Sequence, residues 1–217
     1  LRAASTRRGT RLMRAYCISG HVPLWTWHLY NGAHRYARVT LLRDPWARLV
    51  SHINWVNLFN HGVRMPRHGS GEADLARVVQ VMADTDFHDR GSLIQFFNQV
   101  NRLRYFSSFD NYQVRMLRLG AMDAMERDLT QVDVDVACDA LSGFFHFGFC
   151  ENQEAFQRDM VEKLGLAFSP KPMTLNKGRQ KIVTVDNLVA RDVFAPWIAW
   201  DQMLVGFAKG LKMKRAA

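Results

Sequence analysis

At 217 residues, 48% hydrophobic and 23% charged, the chain has the size and balance of one folded α/β domain, which excludes a disordered segment. No apolar run reaches the length of a helical membrane span, so the chain is expected in water. The net charge of +9 is concentrated at one end: residues 1–43 hold eight arginines and no acid, while the other 174 residues hold 21 bases and 20 acids. Such an arm suits nucleic acid, an acidic membrane surface, an anionic ligand or a cleaved organellar presequence, and equally a solvated tail. Residues 1–16 read as a basic arm ahead of one domain spanning 17–212. Three widely spaced cysteines, Cys17, Cys138 and Cys150, make neither a zinc pattern nor a disulfide framework, which points to a reducing, cytoplasmic setting.

In chain order, "YARVTLL" (36–42) is the clearest strand, and its continuous apolar end suits burial on both faces of a parallel sheet. Asp44 is a good N-cap and Pro45 fits the first helical position. Trp46, Leu49, Val50, Ile53 and Val56 then recur at helical spacing. Residues 60–74 read as a surface loop, followed by helices over 72–84 and 92–103. A short helix over 109–120 is stopped by Gly120, and another helix covers 133–144. "FFHFGF" (144–149) reads as a second buried strand, and 152–165 as an amphipathic helix ending at Gly165. Residues 169–181 form a basic loop, and two helical segments broken near Pro196 complete the chain. Glu126, Asp128, Asp133 and Asp135 read as caps and surface charges. Strands alternating with helices predict an α/β fold with a parallel sheet.

The turn from strand to capped helix at Leu42–Pro45 leaves backbone N–H groups and the positive end of a helix dipole facing outward, a geometry suited to phosphate or sulfate. Arg43 adds a forked, permanently charged donor at its mouth, and Ser51 a hydroxyl two turns along. The plainer alternative gives Arg43 to an ion pair and Ser51 to an ordinary helix position.

The block "LLRDPWARLVS" (41–51) resembles the 3′-phosphate-binding motif of sulfotransferases, in the branch that sulfates carbohydrates. "SGHVP" (19–23), "FDNYQVRML" (109–117), "FGFCENQEAF" (147–156), "LNKG" (175–178) and "WDQMLVGFA" (200–208) follow the family's order over roughly residues 17–210. The resemblance implies a three-layer, P-loop-like fold, with a parallel sheet flanked by helices. It implies 3′-phosphoadenosine 5′-phosphosulfate as donor, its 3′-phosphate held by Arg43 and Ser51. The family's first strand and lysine-bearing 5′-phosphosulfate loop are expected to be missing, because "TRRGTRL" (6–12) follows no apolar strand.

The same likeness makes His21, in its Gly-His-Val setting, the base that deprotonates an acceptor hydroxyl, on a glycan or another alcohol. Trp25 and Trp27 are candidates for an acceptor platform or for the core. Asn111 and Arg115, one helical turn apart, are candidates for polar contact with donor or acceptor. Lys177 and Arg179 are candidates to close over the adenosine 3′-phosphate. No metal is expected, and no nucleic-acid partner. Two alternatives stand beside the enzyme: a sulfotransferase-like protein that binds nucleotide without catalysis, and a basic nucleic-acid-binding module.

Overall fold

The computed structural model describes residues 23–24, 26, 36–63, 72–118, 128–165 and 181–216. They are mostly helical around a small parallel sheet. Strand β1 is Val39–Leu42, and helix α1 runs Pro45–Asn57. Helices α2 (Glu72–Ala83), α3 (Arg90–Val100), α4 (Tyr112–Leu117) and α5 (Gln131–Ser142) follow. Strand β2 is His146–Phe149, then come α6 (Gln153–Lys163), α7 (Leu188–Val193) and α8 (Ala199–Ala216). β1 and β2 pair in parallel, from Val39↔His146 to Leu42↔Phe149. The expectation of an α/β chain with parallel pairing is met in this coarse form, with two strands among the described residues. No helix among them is long and apolar enough to cross a membrane.

Alternation along β2 assigns its side chains to two layers. Phe147 and Phe149 belong to a core with Leu42, Val134, Leu141, Leu204, Val205 and Ala208, which α5 and α8 cover. From α8, Arg215 and Lys212 lie over the rings of Phe147 and Phe149. Gly148 belongs to the opposite face, against α6. A Cβ placed there would stand 2.5 Å from the Phe156 ring, so only glycine lets this helix approach. Helices therefore cover both faces of β2, while β1 is buried only at Leu42.

A second core contains no residue of either strand. The stripe Trp46, Leu49, Val50, Ile53 and Val56 of α1 meets Leu75, Val78, Leu93, Phe96, Phe109, Phe194 and Trp197. Trp197, 1% exposed, stacks on Phe194 and Phe97 and donates its indole N–H to Asn101 Oδ1 at 2.7 Å.

Several element ends differ from the sequence reading for local reasons. The loop at 60–74 starts later, because Leu58–His61 forms a 3-10 turn closed by Gly62 at φ 80°. α3 starts at Arg90 because Asp89 caps it, accepting from the Ser92 amide at 2.7 Å. α4 begins at Tyr112, after Asn111 has taken a left-handed conformation, and ends at Leu117, before Gly120. α5 begins two residues early, at Gln131, because Asp133 Oδ2 accepts from the Thr130 amide and hydroxyl. Asp133 is thus a cap as expected, but a buried one, paired with Arg118 at 2.6 Å.

His146 stacks on Phe156 with ring centroids 5.0 Å apart and planes 8° apart. Burial lowers its pKa from the ordinary 6.5, and the positive charges of Lys163 and Lys212 act in the same direction, against Asp159. The native ring therefore stays neutral where the unfolded ring takes up a proton. Stability is expected to be level above about pH 6.5 and to fall as pH drops below it. Urea unfolding between pH 7 and 5 should show this slope, and His146→Phe, which keeps the stack, should reduce it. An unchanged slope in that variant would remove His146 as its source.

Candidate functional site

Because Leu42 and Phe149 are the last ladder pair, Arg43 and Cys150 leave the sheet together at its carboxyl edge. In parallel α/β arrangements this edge is where ligands bind. α1 starts there as its sequence requires: Asp44 caps it, Oδ1 accepting from the Ala47 amide at 2.8 Å, and Pro45 occupies the first turn.

The amides read as open to an anion are largely engaged by the protein itself. The Arg43 N–H donates to Gln113 Oε1 at 2.9 Å, and the Asp44 N–H to Glu151 Oε1 at 2.9 Å. The Ala47 N–H belongs to the cap, and Pro45 has none. A partly buried N–H must find an acceptor, and side chains from α4 and from the turn after β2 supply one. The backbone of this junction therefore has few free donors to offer an anion.

Arg43 is half-buried, and among the described residues its guanidinium has no hydrogen bond or ion pair. Its positive charge is felt by the Cys150 thiol, although burial pushes that thiol's pKa up on balance. Ser51 is exposed on α1, seven residues past the cap. The expected ion pair for Arg43 is absent from the described residues.

Arg48, one turn into α1, behaves differently. It donates to the carbonyls of Ser108 and Phe109, each at 2.7 Å, and lies over the Tyr112 ring. Burial pushes its pKa down, and the neighbouring Asp201 carboxylate opposes that. Asp201, at 0% exposure, accepts from the amides of Gln113 (3.1 Å) and Val114 (2.8 Å). It thereby caps α4 from a distant helix, a task the left-handed Asn111 does not perform. Burial raises the Asp201 pKa; Arg48 and the two amides act against it.

Asn111 and Arg115 are committed inside the fold. The Asn111 carboxamide donates to Asp110 Oδ1 and the Pro196 carbonyl, and accepts from the amides of Trp200 and Asp201. Arg115 pairs with Asp110 and lies over the Phe106 ring. Each is 1% exposed; Asn111 ties the start of α4 to the start of α8, and Arg115 ties α4 to the turn before it, occupations the sequence reading did not anticipate. His21, Trp25, Trp27, Lys177 and Arg179 lie outside the described residues.

Gln113, Glu151, Asp201 and Arg48 were not singled out from the sequence. For Asp201 a signal existed, an acid in the first turn of an otherwise apolar helix start, "WDQML". For Gln113 and Glu151 there was none. No family model matches the chain, and neither does any curated protein or solved structure.

Proposed function

We propose that the chain is a sulfotransferase, moving a sulfuryl group from 3′-phosphoadenosine 5′-phosphosulfate to a hydroxyl of a carbohydrate or another alcohol. The observation that carries this reading is the Arg43 guanidinium, unpaired among the described residues at the carboxyl edge of a parallel pair. Its backbone is fixed on both polar sides, and an exposed serine follows on the adjoining helix. A forked cation with no internal partner suits a phosphate.

In this reading Arg43 and Ser51 hold the donor's 3′-phosphate, with Lys177 and Arg179 closing over it. His21 takes the proton of the acceptor hydroxyl as its oxygen attacks sulfur. The S–O bond to the adenosine bisphosphate breaks in line, leaving a sulfate ester. Trp25 and Trp27 offer the acceptor a platform. The parallel pair would then be part of the three-layer, P-loop-like sheet that the motif implies.

Isothermal titration tests the reading. Adenosine 3′,5′-bisphosphate is expected to bind about tenfold or more tightly than adenosine 5′-phosphate, as one added charge-assisted contact requires. Equal affinities would remove the 3′-phosphate site. Preference for the bisphosphate without sulfuryl transfer to any sugar would make the protein a nucleotide binder and not an enzyme.

A further inference from the structure

We propose that Gln113 is the positioning residue for Arg43, a role that rests on reading Arg43 as the 3′-phosphate ligand. Gln113 is the second residue of α4, and only 8% of it is exposed. Its own amide is pinned by Asp201 at 3.1 Å, so its Cα has a fixed place in the core. From there its carboxamide reaches the end of β1 and makes two bonds to one residue. Oε1 accepts from the Arg43 N–H at 2.9 Å, and Nε2 donates to the Arg43 carbonyl at 3.0 Å.

Pairing both backbone groups of a single residue is what a facing residue does in an antiparallel ladder. Gln113 thus extends the sheet by one position beyond the last strand pair, Leu42↔Phe149, using a side chain in place of a strand. The next residue is held similarly, with Glu151 accepting from the Asp44 amide. Arg43 therefore leaves the sheet with its backbone already ordered. A phosphate arriving there need order only the side chain, which favours binding without any new contact. The carboxamide is engaged by the Arg43 backbone and by the buried Asp201 carboxylate, so Gln113 acts through Arg43 and not on the ligand.

The test combines titration of both nucleotides with amide hydrogen exchange at Arg43 measured by NMR. Gln113→Met keeps length and bulk but loses the carboxamide. It is expected to weaken bisphosphate binding about 3- to 10-fold, the equivalent of roughly one net hydrogen bond, and to leave adenosine 5′-phosphate binding unchanged. The Arg43 amide should exchange faster. Gln113→Glu, which still accepts from that amide but turns a carboxylate oxygen toward the Arg43 carbonyl, should protect the amide better than Met does. In an Arg43→Ala background, Gln113→Met should have no further effect on bisphosphate affinity.

Equal weakening for both nucleotides, additivity with Arg43→Ala, or unchanged Arg43 exchange would each overturn the proposal, leaving Gln113 a structural residue. A different result identifies failure of the underlying reading. If the unsubstituted protein itself shows no preference for the bisphosphate, Arg43 is not a 3′-phosphate ligand and the positioning role falls with it, whatever the exchange rate.

Discussion

Asp201→Ala is expected to lower the unfolding free energy by about 2–5 kcal/mol, as leaving two buried amides without an acceptor costs roughly 1–3 kcal/mol each. The carboxylate is wholly inaccessible, and three groups depend on it. The amides of Gln113 and Val114 lose their acceptor, and the half-buried Arg48 guanidinium loses a nearby negative charge. α4 suffers most, because a helix of six residues with a left-handed residue before it has little stability of its own. Asp201→Asn should cost less, since a carboxamide oxygen still accepts from one amide. Urea unfolding at neutral pH measures both. A loss under about 1 kcal/mol for the alanine variant would place Asp201 among surface ion pairs and refute its role as cap.

Arg43→Ala is expected to weaken adenosine 3′,5′-bisphosphate binding by about 1.5–3 kcal/mol, or roughly 10- to 150-fold, and adenosine 5′-phosphate binding far less. The guanidinium has no partner among the described residues, so its loss should leave the melting temperature nearly unchanged. That separates recognition from stability. Ser51→Ala should act in the same direction more weakly, as a neutral hydroxyl donates a weaker bond. Arg43→Lys should recover only part of the affinity, because an ammonium lacks the planar fork. An equal loss for both nucleotides would show that neither side chain reads the 3′-phosphate.

The contrast between these two residues shows where the sequence was legible. The Asp44 cap, Pro45 and the apolar stripe of α1 are local features, each fixed by residues within one or two turns, and they stand as read, whereas the strand expected over 36–42 is shorter, Val39–Leu42, and buried only at its end. The parallel pairing with "HFGF" followed from unbroken apolar character, which suits a strand covered on both faces. The state of the junction's amides was not legible. Their partners Gln113 and Glu151 are 70 and 107 residues away, and no local pattern marks a side chain that will satisfy distant backbone. Burial of Asn111 and Arg115 was hidden for the same reason: spacing put them on one face, but packing against Pro196 and Trp200 decided which way that face turned.

The distance between the two strands along the chain also sets the order of assembly. The Asp44–Glu151 contact that closes the carboxyl edge spans 107 residues, as does every rung of the sheet below it. Synthesis at about 5–20 residues per second delays the second strand behind the first by roughly 5–20 s. Over that interval β1 has no ladder partner from β2, and its apolar side chains wait for a core that α8 completes. Contacts of such long sequence separation form slowly even in the finished chain, since the loop must close before any rung forms. The carboxyl edge is consequently among the last parts of the molecule to exist. A nascent chain stalled before residue 146 leaves β1 without its β2 partner, the kind of segment that binds chaperones or aggregates.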